Sequence, residues 1–172
     1  CTSLETFEIP DCVTVLGQEA FEFCANLESI KIGTGITKLP RCVFAGCKKL
    51  KSVVIPESVE MLEYGVFLHC HSLESVTIPS GIKRIYNDAF RYNYNLQEIV
   101  SHIPGDRLFT VWDFVFDYVD KEQCTLYVPE DSKNIYSLTR GWSAFSNIVE
   151  KQLDTKVEQV LPVEDAQGLY YD

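Results

Sequence analysis

A chain of 172 residues has room for one domain of ordinary size, or one and a fraction. It is 46% hydrophobic and 23% charged, with 10 Phe, 9 Tyr and 2 Trp, which supplies a sizeable core and excludes disorder throughout. Its 15 Lys+Arg against 25 Asp+Glu leave a net charge of −10, which argues against nucleic acid or an anionic membrane surface as partner, and no stretch reaches the roughly 18 apolar residues of a membrane helix. The opening CTSLETF lacks a basic start and an apolar run, so no targeting segment is expected within the chain, although one can precede it.

The chain then counts in twenty-threes. Leu4 opens LETFEIP, Leu27 LESIKIG, Leu50 LKSVVIP, Leu73 LESVTIP and Leu96 the start of a fifth unit, LQEIV. Other columns keep the phase: Ile9, Ile32, Ile55 and Ile78; Val13, Ile36, Val59 and Ile82; Leu16, Leu39, Leu62 and Ile85. Ala20, Val43, Val66 and Ala89 precede Phe21, Phe44, Phe67 and Phe90, and three residues further stand Cys24, Cys47, Cys70 and Asn93. A unit this short cannot close a core by itself. Stacked units bury a continuous one, each touching only its neighbours.

Within a unit, Leu27, Ile30 and Ile32 point inward while Ser29 and Lys31 alternate outward, the period of a short strand. Pro10, Pro56 and Pro79 end it, because proline has no N–H for a ladder. The Phe-x-x-Cys part is too short for a long helix and reads as a turn of α- or 3₁₀-helix on the opposite side. Strands lie about 4.8 Å apart, so five of them form a parallel sheet about 20 Å wide.

These residues resemble the BspA-type leucine-rich-repeat family, whose repeat reads roughly Leu-x-x-Ile-x-Ile-Pro-x-x-Val-x-x-Ile-x-x-x-Ala-Phe-x-x-Cys-x-x. The match covers residues 4–95 as full repeats 4–26, 27–49, 50–72 and 73–95. It implies an α/β leucine-rich-repeat solenoid: a right-handed superhelix with its parallel sheet on the concave face and short helical or 3₁₀ turns opposite. Two departures stand out. Gly33 replaces the proline, which loosens one turn, and Asn93 replaces the cysteine, which suggests that the ladder is ending. Cys1 lies 23 residues before Cys24, so it reads as the end of a truncated upstream repeat, with a lipid-bearing first cysteine as the rival reading. Truncation leaves an apolar end face.

After Leu96 the period breaks. Leu108 still fits the Leu/Ile column, and Phe116 fits the Phe column after three inserted residues, with Val119 in place of the cysteine. Residues 100–150 therefore form a swollen last repeat and a cap, within which Trp112–Tyr118 reads as cap core. CTLYVP from Cys124 is a strand, and Asp131 or Ser132 starts a helix as its cap. This segment, with Gly141-Trp142, Phe145 and Asn147–Glu150, resembles the closing segment of the same family. Residues 151–172, with 5 acidic and 2 basic residues, form an acidic linker or tail whose last residues resemble a bacterial sorting tail.

Nothing marks a catalytic site. Cys1, Cys24, Cys47 and Cys70 form one stacked column and are expected as reduced, buried thiols. In His69-Cys70-His71 the neighbours alternate in direction and Cys70 belongs to the core, so no metal is expected. A Cys/His or Ser/His nucleophile needs a base oriented by a third group, but Cys70 is committed to packing and nothing marks a strained nucleophile turn, and no phosphate loop or other cofactor motif appears. The informative surface is non-catalytic. The outward strand columns Thr6, Ser29, Ser52, Ser75 and Glu8, Lys31, Val54, Thr77 are either plain sheet chemistry or a polar face for a partner. Tyr86, Tyr92 and Tyr94, near Tyr64, His69 and His71, put aromatics on the turn edges. The resemblance implies a non-enzymatic protein-binding module of a secreted or surface-exposed bacterial protein, engaged in adhesion to host or other cell-surface proteins. A spacer displaying another domain and a carbohydrate-binding role are the alternatives.

Overall fold

The computed structural model describes residues 1 and 3–153. The expected tail from residue 154 onward lies outside them. The chain winds as a parallel-strand solenoid. Its long strands are β1 (Thr6–Glu8), β2 (Ser29–Lys31), β4 (Ser52–Val54), β6 (Ser75–Ile78), β8 (Glu98–Ser101), β9 (Thr125–Val128) and β10 (Asn147–Glu150). β1 and β2 pair with each other, and β4, β6, β8, β9 and β10 form one five-stranded sheet in that spatial order. Registers advance by 23 residues, as in Ser52↔Ser75↔Glu98. They then shift to Glu98↔Thr125 and Thr125↔Asn147, where the swollen repeat and the cap add and remove residues.

A second side was not legible in the sequence. The two-residue strands β3 (Lys38–Leu39), β5 (Met61–Leu62) and β7 (Arg84–Ile85) form a three-stranded parallel sheet of their own. Only one residue per strand, Leu39, Leu62 or Ile85, faces the core. A single buried residue carries no alternation by which to recognise a strand.

The third side corrects the expectation of helical turns. In the regular repeats it is a run of hydrogen-bonded turns, and among the described residues 3₁₀-helix appears only at Gly105–Arg107 and Asp113–Phe116, in the swollen repeat. Each turn run places two residues in the left-handed region: Glu19 and Phe23, Cys42 and Gly46, Gly65 and His69, Asp88 and Tyr92. These conformations aim N–H groups along the solenoid axis. Phe44 N donates to Val66 O at 3.0 Å and Phe67 N to Ala89 O at 2.8 Å, so this side too is bonded from coil to coil. The cost of a left-handed residue is offset by a hydrogen bond that repeats in the next coil.

The core is the stack of columns. Phe21, Phe44, Phe67, Phe90 and Phe116 stack with successive centroids 5.4, 5.5, 5.5 and 5.5 Å apart. Phe116 thus occupies the place that three inserted residues assign to it. Trp142 and Phe145 close on it at 5.4 and 5.2 Å, covering the last apolar coil. The helix α1 (Lys133–Leu138) follows Ser132 as expected, but Ser132 does not cap it with its side chain. Its hydroxyl accepts from Gly105 N, and Glu150 instead accepts from Lys133 N at 2.9 Å. Gly33 does not loosen its turn. A Cβ there would lie 2.4 Å from the Pro10 carbonyl oxygen, so glycine permits the close approach of two backbones.

Asn93 likewise continues the cysteine column rather than ending it. Cys47 and Cys70 Sγ donate to the carbonyls of Phe21 and Phe44, both at 3.2 Å. Asn93 Nδ2 donates to the equivalent Phe67 carbonyl at 2.9 Å and to Phe90 at 2.8 Å, while its buried Oδ1 has no partner. Asn93→Leu strips two buried carbonyls of their donor and is expected to cost about 1–3 kcal/mol or more. Asn93→Cys keeps a donor, removes the orphaned oxygen and is expected to stay within about 1 kcal/mol of the parent. Urea denaturation of the two variants checks the difference.

Candidate functional site

The outward columns of the long strands form an evenly paired face. Thr6 lies beside Ser29, and Ser52 beside Ser75. Lys31 pairs with Glu8, and Asn147 Nδ2 donates to Thr125 Oγ1 at 2.7 Å. Val54 and Thr77 are half-buried neighbours on the same face. On this face Lys31 is thus paired with Glu8 and the Thr125 hydroxyl with Asn147, across neighbouring strands.

The three candidate tyrosines divide. Tyr92 and Tyr94 lie on the turn side. Tyr86 lies beside the short-strand sheet, where Arg84 Nη1 donates to its hydroxyl at 3.2 Å. The sequence placed them on one edge because they are close in number. The left-handed bend at Asp88, with φ of 60°, carries the chain from one side of the coil to the other between them.

Around Tyr92 the structure assembles a cluster larger than the one expected. The rings of His69, Tyr92 and Tyr118 stack in a column, 4.4 Å between successive centroids and tilted by 2° and 18°. All three residues sit at left-handed positions, so the repeated backbone bend holds the rings parallel. Gly46 precedes them in the same column, with the Phe23 ring lying where its Cβ would be. Tyr94 closes the cluster 5.7 Å from His71 and 6.2 Å from Tyr92. The Arg91 guanidinium lies 4.7 Å from the Tyr92 ring centre and 5.5 Å from that of Tyr118, and it reaches Asp117 at 3.2 Å. Burial, with the neighbouring His71, holds the His69 imidazole below its ordinary pKa. Tyr94 is 54% and Tyr118 50% exposed. Tyr118 was assigned to the cap core, as were Trp112 and Phe114. All three are exposed, whereas Val115 and Phe116 of that run are buried. The signal for Tyr118 was present: with three residues inserted it falls in the His69/Tyr92 column.

His69 Nδ1 and His71 Nε2 stand 3.4 Å apart, while Cys70 between them turns inward to the Phe44 carbonyl. Among the described residues no group of three or more His, Cys, Asp or Glu is placed to hold a metal ion. The core thiols are poor nucleophiles, since burial pushes Cys47 and Cys124 up to about 12 and Cys70 well above its ordinary value.

The comparisons agree with this architecture. Residues 1–105 match the model of the BspA type leucine rich repeat region in six copies. None of the curated proteins matches the chain. Among solved structures, the chain is similar to a leucine rich cell surface protein from Faecalibacterium prausnitzii A2-165, with 38% identity, a TM-score of 0.58, and 59% of this chain and 27% of that one covered. It is also similar to the leucine rich repeat protein TpLRR of T. pallidum, with 27% identity, a TM-score of 0.67, and 74% of this chain and 57% of that one covered. The pneumococcal vaccine antigen PcpA, at 18% identity and a TM-score of 0.64 over 87% of this chain and 42% of that one, shares the fold. The chain thus spans about a quarter to somewhat over half of these longer proteins. None of these comparisons indicates an enzyme family, and no described helix is long and apolar enough to cross a membrane. With six copies of the repeat across more than half its length, and Phe, Cys and strand columns in the register that the repeat requires, the chain belongs to the BspA-type leucine-rich-repeat family.

Proposed function

We propose that the chain is a non-enzymatic protein-binding module of a bacterial cell-surface protein, serving adhesion, and that its contact surface is the turn-side cluster of His69, Arg91, Tyr92, Tyr94 and Tyr118. The observation that carries this reading is the stacked column His69–Tyr92–Tyr118 with Arg91 over it. Tyr and Arg are the residue types that concentrate binding energy at protein interfaces. Here the rings are held rigid by the coil repeat, so little side-chain entropy is lost on contact. The cell-surface setting is supported by the F. prausnitzii relative, whose name describes a leucine rich cell surface protein.

The test is titration of the folded chain against a panel of purified extracellular-matrix and host cell-surface proteins at physiological salt. Saturable binding by one of them is expected. Tyr92→Ala with Tyr94→Ala is expected to weaken it by about tenfold or more, and Ser52→Arg on the long-strand face to leave it unchanged. Binding lost with Ser52→Arg but kept in the tyrosine variant moves the interface to the sheet. No binding at all favours a spacer that displays another domain.

A further inference from the structure

The pair His69 and His71 offers a chemistry beyond that of a protein contact. The alternation that turns Cys70 into the core turns both histidines the other way. Cys70 is fully buried, while the two imidazoles are half-buried at the surface. His69 Nδ1 and His71 Nε2 face each other at 3.4 Å, with the ring planes at 80°. Neighbouring coils fix the pair in place. His69 N donates to Arg91 O at 3.1 Å, and the His69 ring lies flat on Tyr92, 4.4 Å away. Between the two, Cys70 Sγ donates to the Phe44 carbonyl of the preceding coil at 3.2 Å. Asn95 Nδ2, from the following coil, donates to the His71 carbonyl at 2.7 Å. The two nitrogens therefore owe their closeness to a backbone held from both sides, which is what a preorganised ligand pair requires.

We propose that His69 and His71 form a two-histidine site for Zn²⁺, with water in the remaining coordination positions. In the ion-free pair one imidazole donates its hydrogen to the other. When the ion enters, the donor ring carries that hydrogen on its other nitrogen, so both rings stay neutral and each presents a lone pair. The burial of Cys70 leaves this pair intact, because residues two apart on an extended chain share a side. Two protein ligands rather than four make the ion exchangeable, with a dissociation constant on the order of 1–100 µM. The proposal stands on the histidine pair alone and does not rest on the protein-binding reading.

Distance and ligand type select the ion. Two nitrogens bound at about 2.0–2.1 Å to one tetrahedral ion stand about 3.3–3.4 Å apart, which matches the pair. A square-planar or octahedral ion draws neighbouring nitrogens to about 2.9 Å, so Cu²⁺ and Ni²⁺ require the pair to close further. Ca²⁺ and Mg²⁺ take oxygen ligands, and among the described residues no carboxylate joins the histidines to make a larger cluster. The charges acting on His69 come from Lys48 and Arg91. They oppose any cation held by charge alone, which leaves an ion held by nitrogen lone pairs.

Exposed thiols also bind Zn²⁺, and Cys1 and Cys12 are exposed, so the parent for the test carries Cys1→Ser and Cys12→Ser. Isothermal titration of this chain with Zn²⁺ is expected to show one ion bound and saturation in the stated range, unchanged by millimolar Mg²⁺ or Ca²⁺. His71→Ala and His69→Asn are each expected to weaken binding by about tenfold or more. Asparagine is chosen at residue 69 because it tolerates the left-handed backbone there, with φ of 59°. Circular dichroism confirms that each variant is folded. In the NMR spectrum the imidazole signals of His69 and His71 are expected to shift on addition of Zn²⁺, and those of His102 to stay in place. Absence of saturation below about 1 mM overturns the proposal, as does binding that survives His69→Asn and His71→Ala together or that shifts the His102 signals instead. Zn²⁺ is the only ligand in this test and His71 lies outside the proposed contact cluster, so failure here leaves the protein-binding reading standing, and the reverse.

Discussion

Phe67→Ala is expected to be among the most damaging single substitutions in this chain, at about 3–5 kcal/mol. Phe67 is fully buried in the middle of the aromatic column, stacked on Phe44 and Phe90, both at 5.5 Å. Truncation opens a cavity that cannot collapse. The backbones of the coils on either side are pinned by hydrogen bonds such as Phe67 N to Ala89 O and Phe44 N to Val66 O, so the neighbouring rings cannot close in. In a chain of this size the loss corresponds to a fall of about 6–20 °C in melting temperature. Thermal denaturation followed by circular dichroism measures it. A fall of less than about 1 kcal/mol means that the column repacks and that the coils are looser than their hydrogen bonding indicates.

Trp142→Ala is expected to cost about as much but in a different place. Trp142 is fully buried, lies 5.4 Å from both Phe116 and Tyr136, and donates its ring N–H to the Phe109 carbonyl at 2.9 Å. Removing it uncovers the last coil and orphans that carbonyl, about 3–5 kcal/mol for the cavity with a further contribution from the lost hydrogen bond. A solenoid is stabilised by each repeat and by its neighbours, so damage at the cap spreads inward from the end. Amide hydrogen exchange is expected to show protection lost first in β9 and β10 and retained in β4 and β6. Uniform loss across all strands means that the chain unfolds as one unit, with the cap indispensable to every coil.

Much of the fold is legible because a solenoid turns sequence spacing into spatial spacing. Residues 23 apart are stacked neighbours, so Phe21 to Phe90 and Cys24 to Cys70 could be placed by counting. Phe116 could be placed by counting with one insertion. The side chains at the ends of the count depended on chemistry that counting does not weigh. Asn93 departs from the column by residue type but performs the same donation to the preceding coil, and Gly33 departs but fills a place where a side chain has no room. The candidate surfaces were half legible. The composition of each coil marked Tyr86, Tyr92 and Tyr94 as surface aromatics, yet not that Tyr86 belongs with Arg84 while Tyr92 belongs with His69 and Tyr118.

By itself, then, the sequence determined the repeat, its phase, the buried columns, the strands of the repeats and the strand after Cys124, and the family to which the chain is similar. Each of these depends only on which residues recur at a constant spacing. The tertiary structure decided the short-strand side, the turn conformation and the grouping of surface aromatics. These depend on backbone dihedrals at positions such as Glu19, Cys42, His69, Asp88 and Tyr92, all left-handed and none of them glycine. Glycine marks the bend only at Gly46 and Gly65 of these columns, so residue type does not announce it at the others. It is stabilised by hydrogen bonds to the next coil, which exist only once the coils have stacked.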